Sequence, residues 1–380
     1  MTGRSRAHPA TPSAAVVFGT RPEAIKLAPV VLALRTSGFD VRAVTTGQHE
    51  ALVREVLPLF GIEAAADLAI MKAGQSLDYV LGAVVHGLGT FLETWQPDVV
   101  VVQGDTTSTL AAALAAYHHR LPVAHVEAGL RTHDRWLPFP EEMNRRLTSD
   151  IARWHFAPTQ HSADNLALEG ITDGVEVTGN TVVDAVRHIL DGPAAAMPDA
   201  LAGFIAGRPY VLATAHRRES WGAGIGDIAR ALRTVSERRP DVPILFAAHP
   251  NPAARGPVDA MVGDVPGIRI LDALPYPVFL RLLAGARLAV SDSGGVQEEG
   301  PTLGIPVVVT RTTTERPEGV DAGAVRLAGT DHDRIVADTL EILGSPEVHA
   351  AMAAAGHGLY GDGLASGRIA ATLLAGLAAE

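Results

Sequence analysis

Short apolar, β-branched runs, each followed by a longer Ala- and Leu-rich segment of helical spacing, recur along this chain, and the whole pattern occurs twice. The first series is Ala15-Val16-Val17-Phe18, Val41 to Val44, Val99-Val100-Val101-Val102 and Pro122-Val123-Ala124. The second is Tyr210-Val211-Leu212-Ala213, Ile244-Leu245-Phe246, Ile268-Arg269-Ile270, Leu288-Ala289-Val290 and Val307-Val308-Val309. Uninterrupted apolar runs suit strands buried on both faces, and strands separated by helices form parallel sheets. The periodicity breaks at Asp191-Gly192-Pro193 and from Ala194 to Pro198, placing the join between two domains somewhere from Thr178 to Pro209. The expected fold class is α/β, with two Rossmann-like, doubly wound domains facing a central cleft, since such sheets bind ligands at the carboxyl ends of their strands.

Composition narrows the function classes. A chain of 380 residues, 47% of them hydrophobic, has the material for two cores. No apolar run approaches the roughly 20 residues that span a bilayer, so no membrane partner is expected. Met1 to Ala14 carries basic residues without the apolar segment of a signal peptide and reads as a loose tail. Absence of cysteine excludes a disulfide framework and a thiolate nucleophile, and the cytoplasm is the simplest setting. A formal net charge of -11 without a Lys/Arg block argues against a nucleic-acid surface. Neither G-x-G-x-x-G nor G-x-x-x-x-G-K-[ST] occurs, so neither a tightly held nicotinamide nor a P-loop is supported, and no cofactor is expected. No metal-ligand spacing occurs either, and His118-His119 reads as a solvated helix face.

The polar segments at the ends of the apolar runs carry the chemistry. Gly19-Thr20-Arg21-Pro22-Glu23, Gln103-Gly104-Asp105-Thr106-Thr107 and His125-Val126-Glu127-Ala128-Gly129 punctuate the first series. Thr214-Ala215-His216-Arg217-Arg218-Glu219-Ser220, His249-Pro250-Asn251 and Ser291-Asp292-Ser293-Gly294-Gly295-Val296-Gln297-Glu298-Glu299 punctuate the second. One polar strand end is ordinarily a turn or a cap; six together point to a ligand site. Ser293-Gly294-Gly295, before a helix expected to open at Val296, offers backbone N–H groups to a pyrophosphate, or is simply a Gly-containing turn. Glu298 and Glu299 are placed to reach ribose hydroxyls, or merely complement the helix dipole. Arg21 and Lys26 are either anion ligands or surface cations. Asp105 and Glu127 end adjacent strands, and Glu141-Glu142 open a helix after Pro138-Phe139-Pro140. Carboxylates around one cleft suit proton transfer on two faces of a sugar ring. The plainer alternatives are a cap for Asp105, i,i+4 pairing of Glu141 and Glu142 with Arg145 and Arg146, and core positions for His216 and His249.

These segments, in this order, together with Phe18 to Lys26, Leu130-Arg131, Thr178-Gly179-Asn180-Thr181, Thr314-Glu315-Arg316-Pro317-Glu318 and Tyr360-Gly361-Asp362-Gly363, resemble the non-hydrolysing UDP-N-acetylglucosamine 2-epimerases over nearly the whole chain. The resemblance implies a GT-B architecture, a homodimer, and a last helix (366–380) that crosses back onto an N-terminal domain of residues 1–181, leaving 182–365 as the UDP-binding domain. It implies reversible interconversion of UDP-N-acetylglucosamine and UDP-N-acetylmannosamine. By matching position, Arg21, Lys26, Asp105, Glu127, Glu141 and His216 would be catalytic or line the reacting sugar. Ser293, Gly294, Gly295 and Glu299 would hold phosphates and ribose, with Phe279 near the uracil and Arg316, Arg145 and His249 also lining the substrate.

Carbon 2 of the hexose has no neighbouring carbonyl to acidify its hydrogen. Inversion there requires transient oxidation or loss of the anomeric substituent, and the missing dinucleotide fingerprint favours loss of UDP to a 2-acetamidoglucal followed by re-addition. The chain departs from the family pattern at Gln48-His49-Glu50, where many members read Gln-His-Arg in a region that binds a regulatory substrate molecule. The reversed charge leads to the expectation of a hyperbolic rate curve. Ala215 and His249-Pro250-Asn251-Pro252 are further departures that the site is expected to tolerate.

Overall fold

The computed structural model describes residues 11–48, 55–72, 74–193, 197–215, 223–249 and 251–379; Glu50 and His216 lie outside them. The chain divides into two compact units, Met1–His188 with Tyr360–Glu380, and Ile189–Leu359.

The first unit holds parallel strands β1 (Ser13–Phe18), β2 (Asp40–Thr45), β3 (Ala66–Asp67), β4 (Val99–Gln103), β5 (Val123–Val126), β6 (Trp154–Ala157) and β7 (Val175–Val177). Their order in the sheet is β3-β2-β1-β4-β5-β6-β7. Its helices are α1 (Arg21–Thr36), α2 (Leu77–Thr94), α3 (Thr107–His118), α4 (Glu141–Ile151), α5 (Gln160–Leu168) and α6 (Thr181–Asp191), the last of which runs three residues past the unit boundary. Val99 to Val102 are wholly buried, which explains the unbroken valine run: side chains on both faces of β4 meet helices. Ala111, Ala112, Ala113, Ala115 and Ala116 let α3 lie close against α2 and the sheet, and all are buried. Each large side chain so buried contributes about 1.5–3 kcal/mol.

The second unit contains α7 (Asp199–Ile205) and strands β8 (Val211–Ala215), β9 (Ile244–Ala248), β10 (Ile268–Leu271), β11 (Leu288–Ser291), β12 (Val307–Val309) and β13 (Val325–Leu327). They are ordered β10-β9-β8-β11-β12-β13, all parallel. Interleaved are α8 (Ala223–Arg238), α9 (Pro252–Val262), α10 (Tyr276–Ala284), α11 (Gly294–Thr302), α12 (Pro317–Asp321), α13 (His332–Gly344) and α14 (Pro346–Ala355). Helix α15 (Ala365–Ala378) returns to the first unit and packs on α1.

Both sheets are wound in the same sense. Chain order reverses between β1 and β4 in one and between β8 and β11 in the other. In doubly wound sheets the crevice at that reversal is where ligands bind. The segments that follow β1, β4 and β11 begin at Gly19, Gly104 and Asp292, so the topology puts the chemically dense turns at the switch points. Sequence pattern alone did not expose β3, β6, β7 and β13. Two to four residues are too few to show a period, and β6 carries His155 among its apolar residues.

Candidate active site

In the first unit the site is built on the N-terminus of α1. Thr20 caps that helix in a reciprocal box with Glu23, and Pro22 sits in the first turn, where its missing N–H costs nothing. The Glu23 carboxylate accepts from the amides of Gly19 (2.6 Å) and Thr20 (2.8 Å) and from the hydroxyls of Thr106 (2.5 Å) and Thr109 (3.0 Å). Because Thr106 is the N-cap of α3, one buried carboxylate ties the starts of two helices together. Burial pushes its pKa up, against the four donors that pull it down. Arg21 is then the half-buried first residue of α1, while Lys26 is buried one turn further in.

Lys26 Nζ donates to Glu127 Oε1 at 2.5 Å, and Gln103 Nε2 donates to Glu127 Oε2. Both members of the ion pair are buried, so Lys26 is not a surface cation. Glu127 follows directly on β5 with a φ of +61°, a left-handed conformation that costs a non-glycine residue about 1–3 kcal/mol. Two residues on, Gly129 has a φ of +91°, and a Cβ there would lie 2.1 Å from the Ser162 carbonyl oxygen. The turn that aims Glu127 therefore requires glycine at 129.

Asp105 is not the helix cap; Thr106 has that role, its hydroxyl accepting from the Thr109 amide. Asp105 Oδ2 accepts from Arg145 Nη2 (2.5 Å) and Nε (3.1 Å), and its backbone carbonyl accepts from Asn144 Nδ2 (2.9 Å). At the start of α4 both arginines also pair outside the i,i+4 spacing. Glu142, fully buried, accepts from Arg145 Nη1 at i,i+3 (3.1 Å) and from the amides of Thr132 (3.1 Å) and His133 (3.2 Å). Arg146 pairs with Glu169. Glu141, at the first position of α4, is half-buried. Behind these residues, buried Arg131 grips Glu169 with Nε (3.0 Å) and Nη2 (2.6 Å). Burial pushes the His125 imidazole down to about 3 and His155 down to about 4, so both are neutral near pH 7. His125 Nε2 lies 2.8 Å from the Gly104 carbonyl and helps fix the turn that bears Asp105.

In the second unit α11 starts at Gly294, two residues before the expected opening, with Ser293 as its N-cap. Gly294 has Arg316 for a neighbour: a Cβ there would sit 3.1 Å from Nη1. Nothing comes closer than 3.7 Å to a Cβ at Gly295, which leaves room over the first turn. Arg316 is held between Glu298 (Nε to Oε1, 2.5 Å) and Glu315 (Nη1 to Oε1, 2.5 Å). Arg311 bonds the other Glu315 oxygen at 3.0 Å. Glu298 thus serves Arg316, and of the two carboxylates expected at ribose it is Glu299 that lies beside Gly295. Glu299 Oε1 accepts from the buried Tyr276 hydroxyl at 2.8 Å, a partner that no sequence pattern marked. Phe279, one turn along α10 from Tyr276, is half-buried. His249 follows β9, and its Nδ1 accepts from the Asn251 amide at 3.1 Å, so it belongs to the strand-end turn and not to the core.

Two units with parallel sheets of one winding order, each with polar residues at the switch point, define the class as a doubly wound, Rossmann-like α/β fold. The fold is shared with the glycosyltransferase SnogD from Streptomyces nogalater, at TM-score 0.56 and 18% identity over 97% of this chain and 99% of that one. Residues 32–374 match the family model described as UDP-N-acetylglucosamine 2-epimerase. The Escherichia coli K12 UDP-N-acetylglucosamine 2-epimerase is 45% identical over 363 residues, 93% of this chain and 96% of that protein. The crystal structure of the Neisseria meningitidis UDP-GlcNAc 2-epimerase bound to UDP-GlcNAc superposes with a TM-score of 0.89 at 41% identity, covering 96% of this chain and 100% of the other. The Methanocaldococcus jannaschii enzyme in complex with UDP-GlcNAc and UDP follows at TM-score 0.81 and 32% identity, covering 96% and 99%. The chain belongs to the UDP-N-acetylglucosamine 2-epimerase family.

Proposed function

We propose that this protein interconverts UDP-N-acetylglucosamine and UDP-N-acetylmannosamine by eliminating and re-adding UDP, without a redox cofactor. The observation that carries the reading is the pair of carboxylates at the ends of neighbouring strands, Asp105 held by Arg145 and Glu127 held by Lys26. A carboxylate takes the carbon 2 proton as the bond from carbon 1 to the UDP oxygen breaks, giving 2-acetamidoglucal and UDP. Protonation of carbon 2 from the opposite face, with return of UDP to carbon 1, yields the epimer. Positioned acid and base groups of this kind contribute about 10²–10⁴-fold. Arg21, His216 and the amides at Gly294 and Gly295 offset the charge growing on UDP, as preorganised dipoles and cations do. Glu299 and Phe279 bind ribose and uracil, and Glu141, Arg145, His249 and Arg316 line the substrate. The working protein is a cytoplasmic homodimer in this reading.

Proton NMR of the purified protein with UDP-N-acetylglucosamine in D₂O tests it. Appearance of the manno epimer with deuterium at carbon 2 is expected. Unlabelled substrate that persists overturns the proposal, and free N-acetylmannosamine with stoichiometric UDP would mark a hydrolysing enzyme instead.

A further inference from the structure

We infer that Gln103 is a positioning residue for Glu127, holding the carboxylate in one orientation and favouring its ionised form. The inference rests on the reading of Glu127 as a proton-transfer group. Gln103 ends β4 and is buried, and its carbonyl accepts from the Thr109 hydroxyl at 2.7 Å, so its side chain leaves a pinned backbone. Its partner across the sheet is Val126, which brings its amide beside the next residue, Glu127. There Nε2 donates to Oε2, while Lys26 Nζ from α1 engages Oε1 at 2.5 Å. Between them the two donors engage both carboxylate oxygens.

The chemistry of the two donors differs. An amide carries no charge and takes no proton near neutrality, so it orients Glu127 without competing for the proton in transfer. A hydrogen bond donated to a carboxylate favours the charged form, which lowers its proton affinity. Three other ionisable groups on the neighbouring elements have partners of their own. Asp105 from the β4 turn is paired with Arg145 of α4, and Glu23 of α1 has four donors. His125 on β5 is neutral against the Gly104 carbonyl. Gln103 is an uncharged donor in the setting of Glu127, and one whose removal leaves every ion pair named here in place.

Gln103→Leu, which keeps the bulk, and Gln103→Glu, which keeps the shape and adds a like charge, test the inference. Circular dichroism and melting establish that each variant folds; the near-isosteric Gln103→Glu sustains the test where the leucine does not. Carboxyl carbon NMR of the free protein, with Glu127 assigned through Glu127→Gln, is expected to show the Glu127 midpoint raised by about 0.5–1 pH unit in Gln103→Leu and by more in Gln103→Glu. The corresponding limb of the kcat/KM profile moves with it, while UDP affinity stays within about twofold because its proposed ligands lie on other elements. Loss of activity with the midpoint and limb unmoved in a folded variant overturns the inference and leaves Gln103 a packing residue. Should the wild-type protein show no epimerisation, the proposed function fails, and the NMR titration still decides the role of Gln103.

Discussion

Asp105 and Arg145 meet at a single oxygen: Nε and Nη2 of the guanidinium both converge on Oδ2, at 3.1 and 2.5 Å. The arginine is buried and also bonds Glu142, whereas the aspartate is 28% exposed. The geometry holds one carboxylate oxygen and the whole guanidinium still at the end of β4. Asp105→Asn keeps shape and one acceptor, so its melting temperature should stay near wild type while kcat falls by about 10²–10⁴-fold. Measured kcat within tenfold of wild type would remove Asp105 from the proton chemistry.

Tyr276 donates to Glu299 from a buried position, and Tyr276→Phe removes the hydroxyl while keeping the ring. Losing one hydrogen bond to a charged acceptor is worth about 1.5–3 kcal/mol, so UDP affinity in Tyr276→Phe should weaken by up to roughly 10- to 150-fold. Isothermal titration with UDP measures it. An unchanged Kd would place Glu299 away from the nucleotide.

Acid stability depends on His125 and His155, which pair in register on β5 and β6. Their folded pKa values, about 3 and about 4, lie below the ordinary 6.5. The unfolded chain therefore binds protons first as pH falls. Their contribution is fully present above pH 6.5 and is lost progressively down to about pH 3, on the order of several kcal/mol in all. Thermal melts from pH 7.5 to 4.5 should show a steep fall, and His155→Gln should flatten it. A melting temperature constant across that range would contradict burial of the pair as neutral imidazoles.

Gly129 and Gly38 both have positive φ, +91° and +88°, but only Gly129 faces backbone where a Cβ would go. Gly38→Ala should cost about 1–2 kcal/mol, the left-handed penalty alone. Gly129→Ala should cost at least ~3 kcal/mol, because the Ser162 carbonyl blocks the methyl group and the turn carrying Glu127 must shift. Urea denaturation distinguishes the two, and equal midpoints would refute the steric argument.

The sequence by itself determined the two-fold repetition of buried parallel strands. A valine run such as Val99 to Val102 is compatible with few environments other than a strand buried on both faces of a parallel sheet. It also marked where polar residues gather, because polar residues that interrupt buried strands at one end have no packing reason to recur. Tertiary structure alone decided the pairings. Lys26 and Glu127 are separated by 101 residues, Gln103 joins them from a third segment, and Tyr276 reaches Glu299 from another helix. The same holds for Arg145, which the packing of α4 against the β4 turn delivers to Asp105, 40 residues away in the chain. Periodicity reports which face of an element is buried. It carries no information on which side chain stands opposite, because that depends on the register and close packing of elements distant in the chain.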